Sequence, residues 1–482
     1  MSVLFTQGYL YPLDKKQWRA QQPYPPLGTL QAAAVVRESG LDVNFFDVGL
    51  SDNPNSVSIV LSSQPEFFVI YDDGFNYLTK MCLTVMREAA FTIASLAKKQ
   101  NCTVIICSSD STDHFEKYFE HGVDYVVRGE GEETLKELLT CLDKKQEPAM
   151  VAGLAFRKNG ETIKTPNRAV IRDLDQLPMP AWDLIDLKPY QDIWQKNHGY
   201  FSLNIATTRG CPFKCNWCAK PIYGNRYNSR SPKSVVDEIE HLLKSFSPTH
   251  FWMCDDIFGL KPKWIQEFNA EVKARQLKFK YKIQSRVDLL LEEDTIEALA
   301  ESGAETVWVG AESGSQKILD AMDKGTTINQ IYEATRLLKR KGIHTAFFLQ
   351  FGYPGEGQAE IKKTLNMVLE LMPDEIGISV SYPLPGTKFY ESVKAQLGVK
   401  QNWSDSDELA MMFKNTYPTA YYKILQRYIH ARFRLKRNFL QLTGFVNRPV
   451  ADTIKKLFSI PYYCMTAVWL SVKMKNLARH GN

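Results

Sequence analysis

No basic stretch leads into a long apolar run at the start of this sequence, and no small-residue cleavage site follows MSVLFTQGYLYPLDKK. Nothing there reads as an export signal, so the expected address is cytoplasmic. Cysteine is sparse: nine in 482 residues, three close together and six scattered. That excludes a disulfide framework and suits a reducing compartment. No fixed-period repeat or low-complexity segment occurs, which excludes solenoids and biased linkers. Extremes of composition are missing too, and 44% hydrophobic, 23% charged and 12% aromatic residues mark a folded globular chain. At 482 residues the chain exceeds the ~250–300 residues at which single cores stop growing, so two to three domains are expected.

The formal net charge of +5 hides an asymmetry. From Met412 onward thirteen Lys or Arg face one acid, Asp452, which puts the tail near +12 and the rest near −7. Such a split marks either a surface that meets an anionic partner or a solvated helical face.

Along the chain, SVLFT, DVNFFDV, FFVIYDD, CTVIIC and DYVVRG alternate with helical patterns. Continuous apolar runs of this kind are buried parallel strands, and the rhythm predicts an open doubly wound α/β sheet over residues 1–146. Ligands of such sheets sit beyond the carboxyl ends of the strands. Here those ends are the loops at Pro26–Gly28, Tyr71–Phe75, Ser108–Thr112 and Gly129–Glu132. From 147 to 197 the rhythm breaks, with a hairpin signal at Asn159–Gly160 and then an extended linker punctuated by Pro178, Pro180 and Pro189. A second βα series of six units, from LNIA to EIGISVS, predicts a partial (βα)6 TIM-like barrel over 198–395. Residues 396–482 read as a basic helical C-terminal region.

The first strand of the second series runs into TTRGCPFKCNWCAKP, which gathers the thiols of Cys211, Cys215 and Cys218 on one loop. Four-iron clusters take cysteine thiolates, normally four, so three leave one iron open to a substrate or cofactor. A structural zinc site would ask for a fourth ligand, such as Cys254 or His198, and usually pairs its cysteines, which none of the other six does. Cys102 and Cys107 fall on an apolar strand, where a thiol is ordinarily a small hydrophobe.

CPFKCNWC, together with WMCDDIFG, QSRVDLL, WVGAESGSQKILDAMDKGTT, FGYPGE and YPLPGT, resembles the radical SAM superfamily over about 202–391. The resemblance implies a [4Fe-4S] cluster on Cys211, Cys215 and Cys218 whose open iron is chelated by S-adenosylmethionine. Reductive cleavage would then give a 5′-deoxyadenosyl radical, chemistry that belongs to the cofactor. It further implies that Trp217 belongs to the SAM contacts and that Asp255 and Asp256 meet the amino group. Arg286 is implied for the SAM carboxylate and Glu312 for the ribose hydroxyls. Gly352 and Gly355, around Pro354, shape a turn.

The segments PPLGTLQAAAVVRESGLDV and GVDYVVRGEGEETLKELL resemble the cobalamin-binding domain found ahead of many radical SAM barrels, notably in relatives of the anaerobic magnesium-protoporphyrin ester cyclase. A flavodoxin-like, cobalamin-binding-like sheet is thereby implied, with Leu27, Gly28, Asp73, Ser108, Gly129 and Glu130 on the cofactor. The Asp-x-His-x-x-Gly string that gives cobalt a histidine is missing, and YDDGFNY stands roughly in its place. Histidine ligation is therefore not expected.

The stretch Leu457–Val472 is uncharged, flanked by Lys455, Lys456, Lys473 and Lys475, and contains Pro461. It falls short of the ~20 residues of a spanning helix. Two readings fit, an interfacial anchor against anionic lipid or a helix packed over the barrel mouth.

The sequence thus predicts a radical SAM enzyme acting on a small organic, lipid-like or tetrapyrrole-like molecule, with an electron donor such as flavodoxin or ferredoxin. Methylation at an unactivated carbon is expected if cobalamin binds, and oxidative cyclisation or rearrangement if it does not. No residue is singled out as acting directly on substrate. A zinc-stabilised protein using its basic tail on nucleic acid is the alternative of another class, and nucleic acid is not the expected partner.

Overall fold

A computed structural model of the chain describes residues 2–220, 222–443 and 450–479. The chain divides into two compact units, one of residues 1–213, 219–284 and 402–408, the other of 214–218, 285–401 and 409–482.

The first unit opens with strands β1 (Ser2–Thr6), β2 (Asp42–Phe45), β3 (Phe67–Tyr71), β4 (Thr103–Cys107) and β5 (Tyr125–Val127), then the hairpin β6 (Leu154–Lys158) and β7 (Glu161–Lys164). They form one sheet in the order β2-β1-β3-β4-β5-β6-β7. The first five strands are parallel, while β6 pairs antiparallel to β5 and to β7. Helices α1 (Leu27–Glu38), α2 (Thr84–Lys99), α3 (Ser109–Phe119) and α4 (Glu132–Asp143) connect the strands.

Alternate residues of each strand serve opposite faces, and the central strand β3, covered on both, is apolar throughout. Leu4, Phe68, Ile70, Val104 and Ile106 pack with Ala90, Ile93, Ala94 and Ala97 of α2. Val3, Phe5, Val69 and Ile105 pack with Ala33 and Val36 of α1 and with Leu135 and Leu138 of α4. Asn159 and Gly160 both take positive φ at the tip of the β6–β7 hairpin, the geometry that two-residue hairpin loops favour.

The segment read from its prolines as an extended linker contains the helix α5 (Lys188–His198). Pro189 stands in its first turn, where a missing N–H leaves no hydrogen bond unmade, so this proline starts a helix. The unit continues with β8 (Ser202–Ile205), the short ladder β9 (Thr208–Arg209) with β10 (Asn228–Ser229), β11 (His250–Met253) and β12 (Lys280–Ser285). β11 lies parallel between β8 and β12. Helix α6 (Pro232–Phe246), capped by the Ser231 hydroxyl, and helix α7 (Trp264–Ala274) follow β10 and β11.

A segment from far downstream completes this unit. Trp403 is fully buried, its carbonyl accepts from Thr84 N at 2.9 Å, and Asn402 Oδ1 accepts from the Arg87 guanidinium at 3.0 Å. The Ser406 hydroxyl donates to Asp14 Oδ1 at 2.8 Å.

In the second unit β13 (Ala304–Glu312), β14 (His344–Phe351) and β15 (Glu375–Val380) run parallel, with a register shift between Gly310 and Glu312. Helices α8 (Ile328–Arg340) and α9 (Gln358–Leu371) link them. Helix α10 (Thr419–Thr443) buries Tyr421, Tyr422, Ile424, Leu425 and Ile429 and contacts α9 and β15. Helix α11 (Val450–Arg479) lies along α10 and continues through Pro461. The side chain of Lys455 falls outside the described residues. Among the described residues no helix is long and apolar enough to cross a membrane.

Candidate functional site

The cysteine loop leaves the first unit through a hairpin neck, in which β9 pairs antiparallel with β10. Gly210 follows at φ +79°, and a Cβ there would stand 2.4 Å from the Arg226 carbonyl oxygen. Only glycine lets the chain turn so closely at this point. Lys220 Nζ donates to the Phe213 carbonyl and, at 2.8 Å, to Asn225 Oδ1. Cys211 belongs to this unit.

Cys215, Asn216, Trp217 and Cys218 belong to the second unit. Cys218 N donates to Cys215 O at 3.2 Å, and Asn216 is held from several sides. Its N donates to Met322 O at 3.0 Å, its Nδ2 to Ala321 O at 2.7 Å, and its Oδ1 accepts from the Tyr353 hydroxyl at 2.9 Å. Trp217 packs on the apolar cluster of Ile318, Met322, Tyr353, Phe389 and Phe413. Its indole N–H is buried with no acceptor among the described residues.

All nine cysteines are described and none is in a disulfide. The three of the loop are half-buried. Among the described residues no group of three His, Cys, Asp or Glu converges to hold a single metal ion. A four-iron cluster asks for a different arrangement, one thiolate on each of three separate irons. Cys254 lies buried at the end of β11, with its thiol donating to Ile205 O at 3.3 Å.

Within the second unit, Lys324 joins two of the residues expected at SAM. Its Nζ donates to Glu312 Oε1 at 2.8 Å, and its carbonyl accepts from Arg286 Nη1 at 2.8 Å. Arg286 also forms a two-pronged pair with Asp288. Lys324 and Glu312 are both buried. Burial by itself would lower the lysine pKa, but the Glu312 carboxylate and then Cys215 outweigh it and raise it, holding the ammonium charged. Gly310 makes the space, since a Cβ there would lie 2.5 Å from Lys324 Nζ and 2.7 Å from Glu312 Oε1.

In the first unit Asp255 is turned inward. It accepts from Thr207 N at 2.7 Å, Thr207 Oγ1 at 2.6 Å and Thr208 N at 2.8 Å, and so fixes the chain between β8 and β9. Burial raises its pKa to about 7 against those hydrogen bonds. Asp256 is paired with Lys80.

The strand-end loops of the first sheet are tied together from inside. Asp73 Oδ1 accepts from Gly28 N and Phe75 N, each at 3.0 Å, closing the amino end of α1, and burial raises its pKa to about 6. The Thr29 hydroxyl donates to Tyr71 O at 2.6 Å. Ser108 caps α3 reciprocally with Ser111. Leu27 lines a small cavity of about 20 Å³ together with Phe75, Ala206 and Arg209, room for about one water. Gly129 takes φ +78° in the loop that leads to Glu130.

Glu130 meets Arg209, whose Nη2 also reaches Glu132 Oε1 at 2.8 Å. The guanidinium lies 5.5 Å from the ring centres of both Phe75 and Tyr223, and all three charged groups are buried. Two carboxylates thus share one cation. Burial first, and Glu132 second, raise the Glu130 pKa against the pull of Arg209. Sequence reasoning passed over Arg209 and Lys324, and took Glu132 only as the end of a strand-end loop. The available signal was their place in motifs already singled out, TTRGC, GEGE and MDKGTT.

Residues 205–368 match the family model of the radical SAM superfamily. An uncharacterised methyltransferase of Pyrococcus horikoshii is 30% identical over 385 residues, covering 79% of this chain and 81% of that protein. The chain belongs to the radical SAM superfamily. Members hold a [4Fe-4S] cluster on three cysteines and use it on S-adenosylmethionine, and the donor set of Cys211, Cys215 and Cys218 fits that cluster. The anaerobic magnesium-protoporphyrin IX monomethyl ester cyclase of Cereibacter sphaeroides is 31% identical over 288 residues, covering 58% of this chain and 46% of the cyclase. The chain therefore spans about half of that radical SAM relative. Among solved structures, the radical SAM methyltransferase TsrM from Kitasatospora setae, with cobalamin and a [4Fe-4S] cluster bound, shares the fold. It has a TM-score of 0.67 and 19% identity, covering 82% of this chain and 75% of that one.

Proposed function

We propose that this chain is a cobalamin-dependent radical SAM methyltransferase that modifies an unactivated carbon of a small organic molecule, lipid-like or tetrapyrrole-like. The observation that carries the reading is the loop of three thiols without a disulfide, in a chain similar over most of its length to a methyltransferase. When bound, the reduced cluster supplies the electron that opens SAM, and cobalamin supplies the methyl carrier.

The chain's own residues then hold, orient and exclude. Cys211, Cys215 and Cys218 would each hold one iron of the cluster. Glu312 is aimed by Lys324 for the ribose hydroxyls and Arg286 for the SAM carboxylate, while Trp217 walls the cofactor. Asp256 would meet the amino group, with Asp255 supporting it through the Thr207–Thr208 turn. Leu27, Gly28 and Gly129 form the surface for cobalamin, and Asp73, Ser108 and Glu130 fix the backbone of those loops. The order β2-β1-β3-β4-β5 supports a doubly wound, flavodoxin-like domain over 1–146. Two sets of three parallel strands support a partial barrel over 198–395, with a linker at 147–197 and a basic helical region from 396. The setting is the cytoplasm, with a flavodoxin or ferredoxin as reductant and peripheral membrane contact through the C-terminal region.

The test is anaerobic isolation followed by iron and cobalt analysis and incubation with trideuteromethyl SAM. Iron, cobalt and a three-dalton gain on protein-bound methylcobalamin are expected. Iron and SAM cleavage without cobalt or label transfer would instead support oxidative cyclisation, which the likeness to the ester cyclase favours.

A further inference from the structure

Helix α11 carries a stripe of large apolar side chains that none of the described residues covers. Leu457, Phe458, Tyr462, Met465, Val468, Trp469 and Val472 recur every three or four residues, one face of a helix, and each is 54–77% exposed. The opposite side, Ala467, Leu470 and Met474, is buried. On neighbouring α10, Phe439 and Leu440 are exposed as well. The stripe spans sixteen residues, about 24 Å at 1.5 Å per residue, too short to cross a bilayer of ~30 Å and long enough to lie along its surface.

Its surroundings carry charge of one sign. Among the described side chains α10 and α11 bear ten Lys or Arg and no Asp or Glu. Lys473 lies 5.0 Å over the Trp469 ring, and Arg434 lies 5.9 Å from the Tyr463 ring. Two copies facing each other across this stripe would bring two such cationic fields together, whereas anionic headgroups neutralise one. Aromatic side chains beside lysines are the composition that settles at the headgroup level.

We propose that the outer face of α11 docks on anionic membrane surfaces, the helix lying in the plane of the headgroups with Phe458, Tyr462, Met465 and Trp469 inserted. The contact deepens the reading of the C-terminal region given above, and it requires neither cluster nor SAM. The enzyme is thereby held where a lipid-borne substrate would be.

Flotation of the full chain with phosphatidylglycerol–phosphatidylcholine vesicles tests it. Binding is expected at low salt, weaker in high salt without vanishing, and at least ~10-fold lower for Phe458→Glu or Trp469→Glu at unchanged helix content. Brominated acyl chains should quench tryptophan emission, and Trp469→Phe should remove most of that quenching. Cys215→Ala should bind vesicles as the wild type does, so loss of the radical chemistry and loss of docking are separable. Equal binding to pure phosphatidylcholine, or none at low salt, overturns the proposal. So does a dimer in sedimentation that Phe458→Glu splits, which would make the stripe a contact between copies.

Discussion

Arg209 stands between two buried carboxylates and two aromatic rings. Replacing it with leucine leaves Glu130 and Glu132 facing each other without a cation, an arrangement that costs about 3–5 kcal/mol. Arg209→Leu should lower stability by that amount in urea titrations, and adding Glu132→Gln should return part of it. Glu356 offers a second test. It is fully buried, Oε2 accepts from Gly352 N at 2.6 Å, and Oε1 has no partner among the described residues. Burial first, against the Gly352 hydrogen bond and with Glu360 adding, raises its pKa from 4.5 to about 8. The folded form thus keeps a proton that the unfolded chain has already released. The stability this contributes is complete below about 4.5 and is lost as pH rises through about 8. Thermal midpoints of the wild type should fall between pH 5.5 and 8.5, and Glu356→Gln should flatten that fall. These residues were hardly legible beforehand, because a single Lys, Arg or Glu reads as solvated until the fold shows what surrounds it.

At the scale of elements, strands were the legible part. FFVIY is apolar at every position, and TVIIC at all but its opening threonine, because both faces of the sheet are covered, and such runs are visible in one dimension. Proline was ambiguous in the same reading. Pro189 opens α5 and Pro461 lies within α11, since its effect depends on which turn it occupies. The cysteine loop was legible as spacing, while its support was not. Gly210 is fixed by the Arg226 carbonyl, a contact between residues sixteen apart. Gly210→Ala should therefore lose ~1–3 kcal/mol and retain less iron after anaerobic reconstitution. Cys215→Ala should lose the brown chromophore, and Cys254→Ala should keep it, because the Cys254 thiol is buried on Ile205 O. Full iron in Cys215→Ala would contradict the cluster assignment.

At the scale of the molecule, the charge asymmetry was plain in the sequence, but the division of labour in the tail was not. α10 is part of the second unit's core, with Tyr422 against the Gly352 turn, whereas α11 packs chiefly on α10 and exposes its outer face. Ending the chain after Thr443 should leave a soluble protein, and ending it near Ala410 should expose core and cause aggregation, as expression and gel filtration would show. For cobalamin, His121 lies stacked 4.0 Å from Phe91 and His114 sits inside α3 with burial lowering its pKa. Reduced Co(II) protein should show no nitrogen splitting from a protein ligand in paramagnetic resonance, and splitting abolished by changing either histidine would reverse that expectation.

The return of residues 402–408 to the first unit sets a timetable for synthesis. Residue 284 leaves the ribosome about 120 residues before Trp403 does, a wait of roughly ten seconds at ~5–20 residues per second. During that interval the socket beside Thr84 and Arg87 stands open, and Arg87 and Asp14 lack the partners that Asn402 and Ser406 later bring. For the whole of that wait the first unit lacks the segment that carries a fully buried tryptophan, so its last folding step comes only when that segment arrives.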